Sequence, residues 1–395
     1  MNNFGPVFRF ELAKIWKKRV TLITLLVIIV LSLFSWLNFL MSTESTRVVV
    51  EDDGKTVISN ENTISGYERM VRLRDNAKKL DGMFLDETMI KKSLESNTDM
   101  FGINEYAVMR EFVISAIMSD TYQIPESAEA LYFDWKESVI KNAVDDYGAN
   151  ENDIAALKDR INSLDTPFRY TYGFGWEVIL GNMLTLGVET ALALAVVLST
   201  VFSDEHRRKT DAIILCTKKG RSTVYYAKIL ASALFGIGVN LISVIMAFFF
   251  ANLFWGLDGF DGMIQFSLTR SSVTLSVGEA TLLLLAISFV AAVLESIFVA
   301  MLSECTNNGV VTMAIMTCLV IATQTVSIPV NLRTLSMLWG IMPTSIIAYW
   351  GLEDMRLFFG KIYNYQMAFI LFVLFSVVFF YIGKRRYNHY EVGGR

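Results

Sequence analysis

Long apolar runs alternate with polar stretches along this chain, and the apolar runs set its organisation. Residues 20–41 carry no charge. At about 1.5 Å per residue such a run makes a helix of about 33 Å, enough to cross the hydrocarbon of a bilayer. Ahead of it, Phe4, Phe8, Leu12, Ile15 and Trp16 recur at helical spacing, and Arg9, Lys14, Lys17 and Lys18 lie largely off that stripe. This predicts an amphipathic helix over 1–19, aromatic face in the membrane interface and cations among the headgroups. A cleaved signal peptide would have a shorter apolar core closed by a small-x-small site, so 20–41 reads as an uncleaved first span. Five further spans are expected at 176–202, 223–255, 274–303, 310–328 and 365–382. The fold class is therefore an all-α polytopic membrane protein with six transmembrane helices, the transmembrane core occupying 174–395.

The polar stretch 42–173 reads as a mainly helical extracellular domain. It opens with two β-branched runs, Arg47 to Val50 and Thr56 to Ile58, around an Asp-Gly turn, so a small β-hairpin is predicted. Helix starts are signalled at Asp86, Asn104, Pro125 and Asn150, and turns at Gly82, Gly102 and Gly148. Tyr132, Phe133 and Trp135 are expected to pack between helices rather than to form a ligand platform. Gly54, Lys55 and Thr56 spell the end of a phosphate-binding loop, but the leading glycine would fall on Val49 and no strand-to-helix context follows.

Charge orients the chain. In the loop 203–222 and just beyond it, Arg207, Arg208, Lys209, Lys218, Lys219, Arg221 and Lys228 outnumber Asp204, Glu205 and Asp211, and short loops rich in Lys and Arg stay in the cytoplasm. Lys384, Arg385 and Arg386 after the last span give the same side, placing both termini in the cytoplasm. Residues 212–216 are apolar between polar flanks, which predicts a short amphipathic element along the inner surface that a cytoplasmic partner could push. Residues 329–364 are too apolar for water yet broken by Pro329, Gly340, Pro343 and Gly351, so half-helices dipping into the outer leaflet are expected. With Trp339 and Pro343 this broken re-entrant hairpin is either an outer gate or a seal on the bundle.

Composition narrows the class further. Hydrophobic residues make up 53% of the 395 and charged residues 19%, a balance outside the range of soluble domains. The net charge of −4 sums a basic membrane-proximal side and the acidic stretch 42–173, which holds 25 carboxylates against 15 cations. No clustered basic face suggests nucleic acid. Cys216, Cys305 and Cys318 all lie outside 42–173, so that domain has no disulfide of its own. His206 and His389 are the only histidines, too few for a metal cluster, and no hydrolase elbow, Cys-x-x-Cys pair or zinc-protease helix is present. No enzyme site is expected.

Glu189 falls near the middle of the second span, Glu295 in the inner half of the fourth and Glu279 at its wet outer end. An ionised carboxylate at the bilayer centre costs about 2.5–3.5 kcal/mol, so Glu189 and Glu295 are expected to face the bundle interior. Protonation of either carboxyl would instead remove most of that cost. Glu189 either lines a substrate path or couples to a cation, or it makes a buried hydrogen bond to a serine or asparagine on a neighbouring helix.

The order Phe202, Glu205, Arg208, Thr210, Ile213 to Leu215, Arg221 and Lys228 resembles the inner-loop signature of the permeases of type-two ATP-binding-cassette exporters, in the large-ectodomain branch. Lys209 stands where that family has Gly, Lys219-Gly220-Arg221 replaces its Pro-x-Ser-Arg turn, and Ala227 precedes Lys228 in place of Gly. The resemblance implies half a transmembrane pore, paired with a second permease chain and bound to a separate cytoplasmic ATPase subunit. That subunit would carry ATP and magnesium, with no cofactor in this chain. It further implies that Glu205, Arg208, Thr210 and Arg221 couple to the ATPase through a coupling helix and that Lys228 anchors the third span at the headgroups. Two alternatives stand beside it. One is an ATPase-linked regulatory membrane protein acting through its outer domain, and the other an ion-coupled carrier using Glu189 and Glu295 without any ATPase.

Overall fold

The computed structural model describes residues 4–52, 55–96, 103–117, 125, 127–210 and 220–389. Helix α1 (Phe4–Trp16) ends in a short turn at Lys17 and Lys18 and gives way to α2 (Arg19–Met41). Strands β1 (Thr43–Asp52) and β2 (Lys55–Ser65) then pair antiparallel, with a register shift between Arg47 and Val48. The predicted Asp-Gly turn lies outside the described residues.

Five helices follow: α3 (Gly66–Lys79), α4 (Glu87–Glu95), α5 (Ala107–Ala116), α6 (Ala128–Asp145) and α7 (Glu151–Asn162). Their starts follow local chemistry. The Asp86 side chain accepts from Met89 N, and Asn150 and Asp153 form a reciprocal capping box, each satisfying amides that the first turn leaves unpaired. Two expected starts move downstream, since α5 begins at Ala107 and α6 is capped by Ser127. Helix α3 was not expected, although Ser65 followed by Glu68 is a capping signature, with Ser65 Oγ accepting from Glu68 N. Gly82 and Gly148 adopt φ of +82° and +63°, conformations that favour glycine.

Among the described residues five helices are long and apolar enough to cross a membrane. They are α2, α8 (Phe174–Leu198) with its short continuation α9 (Ser203–Arg208), α10 (Tyr225–Phe254), α11 (Val277–Thr306) and α15 (Asn364–Asn388). Between the last two come α12 (Gly309–Thr325), α13 (Arg333–Gly340) and α14 (Pro343–Ile346). Helix α12 has 17 residues, about 25 Å of rise, less than the ~30 Å hydrocarbon thickness. It stops three residues short of the expected 328, because Val326 turns extended on the approach to Pro329. Helix α15 runs on through Lys384, Arg385 and Arg386, since charge does not end a helix.

Helices α8 and α11 form the centre of the bundle, with α10, α12 and α15 packed around them and α2 against α8 and α10. Helices α10 and α11 approach closely where a Cβ on Gly236 would overlap Ser296 Oγ and lie 2.9 Å from Ala292 O. Near that contact Asn240 Nδ2 donates to Ser288 Oγ at 3.0 Å.

The domain between α2 and α8 shares its core with the bundle. Phe112, Tyr132, Trp135 and Phe168 make ring contacts, and Phe266, from the connection between α10 and α11, joins them. Tyr132 and Trp135 are buried, as expected of packing residues, whereas Phe133 is exposed. Trp135 Nε1 donates to Thr269 O at 2.6 Å. The apolar cluster continues without a break through Ile179, Leu284 and Phe372 of the long helices. On the other side Asp153 pairs with Arg333 at 2.8 Å and accepts from Leu357 N at 2.9 Å, fastening α7 to the segment after α12.

Candidate functional site

At the end of the bundle where α1 lies, three charged groups from distant parts of the chain meet. Glu205 Oε1 lies 2.8 Å from Lys14 Nζ of α1 and 2.8 Å from Lys228 Nζ of α10. Lys228 is fully buried. Its ammonium also donates to Val201 O at 2.7 Å and lies 4.7 Å from the centroid of the Phe202 ring. The expectation that Lys228 reaches the headgroups is therefore corrected: a side chain with no exposed surface serves Glu205 instead. The apolar stretch around it forces this, because an ammonium surrounded by helices must be paired and fully hydrogen-bonded. Burial pulls the Lys14 ammonium down, but the Glu205 carboxylate bonded to it, helped by Glu11, holds it above its ordinary value.

The same end is tied at further points. Lys18 Nζ pairs with Asp204 at 3.1 Å and donates to Thr200 Oγ1 at 2.9 Å. His206 Nε2 lies 3.0 Å from Glu304 Oε2, on a carboxyl wholly buried at the end of α11. Ser303 Oγ accepts from the amides of Phe202 and Ser203 and donates to Ser199 O at 2.7 Å. The bend from α8 into α9 is thus fixed from three sides. Beyond it Arg207, Arg208, Lys209 and Thr210 are exposed, and Lys209 ends α9 in the left-handed conformation with φ +56°.

The four residues taken together from the sequence separate here. Glu205 is 7% exposed and faces the bundle, whereas Arg208 and Thr210 face out. Arg221 belongs to a π-helical turn, Gly220–Val224, leading into α10; its side chain lies outside the described residues, as does the apolar stretch 212–216. Glu205 ties the root of α9 to α1 and α10.

Glu189 and Glu295 line different voids. Glu189 accepts from Ser32 Oγ of α2 at 2.8 Å. It lies at a crevice of about 10 Å³ with Ser35, Asn182 and Ser243, room for a single water. The buried hydrogen bond to a serine on a neighbouring helix is present. Glu295 faces a cavity of about 390 Å³ between α11, α12, α15 and the α13–α14 segment. Its walls include Leu294, Phe298, Leu319, Phe375 and Pro343. Among the described residues Glu295 has no hydrogen-bond or ion-pair partner, although it is only 6% exposed.

Trp339 Nε1 donates to Val326 O at 2.9 Å, closing α13 against the end of α12. Thr323 and Thr344 hydroxyls meet at 2.7 Å and hold α14 to α12. Asp354 and Arg356 form a buried pair at 2.8 Å, with Arg356 also donating to Ser336 Oγ at 2.6 Å. Sequence reading missed this pair and missed Lys14 as the partner of Glu205. For Lys228 one signal was available: a lysine between Ala227 and Ile229, inside a span, needs a carboxylate, and Asp204 and Glu205 stand together at the adjoining helix end.

Comparison with protein-family models, with curated proteins and with solved structures finds no match to this chain.

Proposed function

We propose that this chain is the membrane-spanning permease half of an ATP-driven exporter, coupled through the segment after its second span to a separate ATPase subunit. The observation that carries the reading is the clamped base and exposed tip of α9. Lys14, Glu205 and Lys228 lock its base to α1 and α10, and Arg207, Arg208, Lys209 and Thr210 stand exposed at its end. A handle must be stiff at its root and accessible at its tip to pass a push from a cytoplasmic motor into α8 and α10. The resemblance in residue order to type-two exporter permeases supports the same location.

In this reading the chain crosses the plasma membrane six times, α12 serving as the fifth crossing with the extended 326–328 completing its reach. Both termini are cytoplasmic and 42–173 is extracellular. A second permease chain completes the pore, and ATP and magnesium belong to the ATPase. Arg208 and Thr210 meet the ATPase, Arg221 flanks them, and Glu205 acts as a positioning residue. Separate voids for Glu189 and Glu295 weigh against a carrier that moves an ion between them. The regulatory alternative draws support from the core shared by the outer domain and the bundle, through which an ATPase stroke would reach the outside.

The test is to purify the chain from its native membranes and identify every protein that comes with it. An ATPase subunit is expected, and Arg208→Glu is expected to weaken its retention at least ten-fold while the folded chain stays intact. Recovery of the wild-type chain with no ATPase under mild detergent would remove the proposal.

A further inference from the structure

The cavity at Glu295 is built unlike the rest of the bundle. Its volume of about 390 Å³ falls within the range of small-molecule sites, roughly 300–1,000 Å³. Apart from Glu295, the side-chain polar groups on its wall belong to Thr323 and Thr344. Those two hydroxyls bond to each other, and Thr323 Oγ1 also donates to Val320 O at 2.7 Å. Of the three, Glu295 is the one whose side chain has no hydrogen bond among the described residues, and the residue is only 6% exposed, facing hydrocarbon-like walls. Every other buried carboxylate discussed above has a partner: Glu205 two lysines, Asp354 an arginine, Glu189 a serine and Glu304 a histidine.

The cavity also opens sideways. Leu338 and Phe375 on its wall are 41% and 42% exposed. They lie on α13 and α15, and α15 carries a continuous apolar outer face of Ile370, Val373, Leu374, Val377 and Val378. A ligand would enter from the apolar layer of the membrane rather than from water.

The geometry points to a binding site for a membrane-soluble amine, an amphiphile whose protonated head meets Glu295 while its hydrocarbon tail lies along Leu319, Phe298 and Phe375. A cationic donor is the complement of a buried carboxylate without a partner among the described residues, and an alkyl tail is the complement of the remaining wall. As a statement about cargo this rests on the exporter reading, but binding itself needs only this chain.

The experiment uses the full chain in phosphatidylcholine nanodiscs with radiolabelled decylamine, excess unlabelled decylamine defining the saturable part. Decanol and decanoate serve as competitors of equal length. Saturable binding is expected, with decylamine preferred over decanol by at least ten-fold. Glu295→Gln should abolish that preference without lowering decanol binding, and Leu319→Trp, which fills the cavity, should remove both. Equal affinity of wild type for amine and alcohol means that the cavity takes hydrocarbon alone and overturns the proposal. So does amine binding that survives Glu295→Gln, and so does the absence of saturable binding. None of these results depends on an ATPase, so the site can fail while co-purification succeeds, and the reverse.

Discussion

Replacing Glu205 by alanine tests whether the junction of α1, α9 and α10 is a structural clamp. The substitution removes two contacts of 2.8 Å at once, but the two lysines suffer differently. The Lys14 side chain is 30% exposed and can turn toward water, so its share is at most about 1 kcal/mol. Lys228 has no exposed surface and keeps only Val201 O and the face of Phe202. Stranding one buried charge in this way costs about 3–5 kcal/mol. Glu205→Ala should therefore lower the unfolding midpoint of the purified chain in detergent well below wild type, and Lys14→Met should barely move it. Combining Glu205→Ala with Lys228→Met removes the stranded charge and should recover most of the loss, since replacing a buried pair by apolar groups is often near neutral. Thermal unfolding followed by tryptophan fluorescence, arranged as a double-mutant cycle, reads the coupling directly. A single variant as stable as wild type, or a double variant no better than the single, would falsify the clamp.

Three further outcomes follow from the packing. Gly236→Leu drives a side chain into Ser296 and Ala292 of α11 and should cost at least about 1–3 kcal/mol, seen as a lower unfolding midpoint and poorer recovery after extraction. Trp135→Ala empties a fully buried site and loses the bond to Thr269 O. A cost of about 3–5 kcal/mol is expected, with faster amide exchange in α5, α6 and the turn at Ile264–Phe266. Arg356→Met leaves the buried Asp354 without its countercharge and with only the amide of residue 356 as donor, so protease should cut between 347 and 363 sooner than in wild type. The added change Asp354→Leu should restore resistance.

The sequence made some of this legible and hid the rest for definite reasons. The run 20–41 could be read to within a residue because an uncharged stretch that long has one physical solution. Helix α7 could be read because Asn150 and Asp153 carry their capping partners within one turn. What escaped were meetings between segments. Periodicity shows that a helix has an apolar face, but not that Lys14 of α1 will find Glu205 across 191 positions. The Glu295 cavity escaped for the same reason: α13 and α14 fold back over α11 and α15, and only that return encloses the space. Where a single feature had to stand for a role, burial redistributed the assignments. Glu205 and Arg208 stand three positions apart in the sequence, yet one points into the bundle and the other into solvent.

The unbroken apolar continuity from Trp135 and Phe168 down to Leu284 and Phe372 has a mechanical corollary. A segment inserted between two crossings can swing on its tethers, but this one is rooted in the crossings themselves. Tilting α8 against α11 by a few degrees would be magnified at its tip, like the end of a mast when the keel rolls. Excising 42–173 would accordingly leave a wound of exposed hydrocarbon across the top of the bundle, and what remained would not be a smaller working machine.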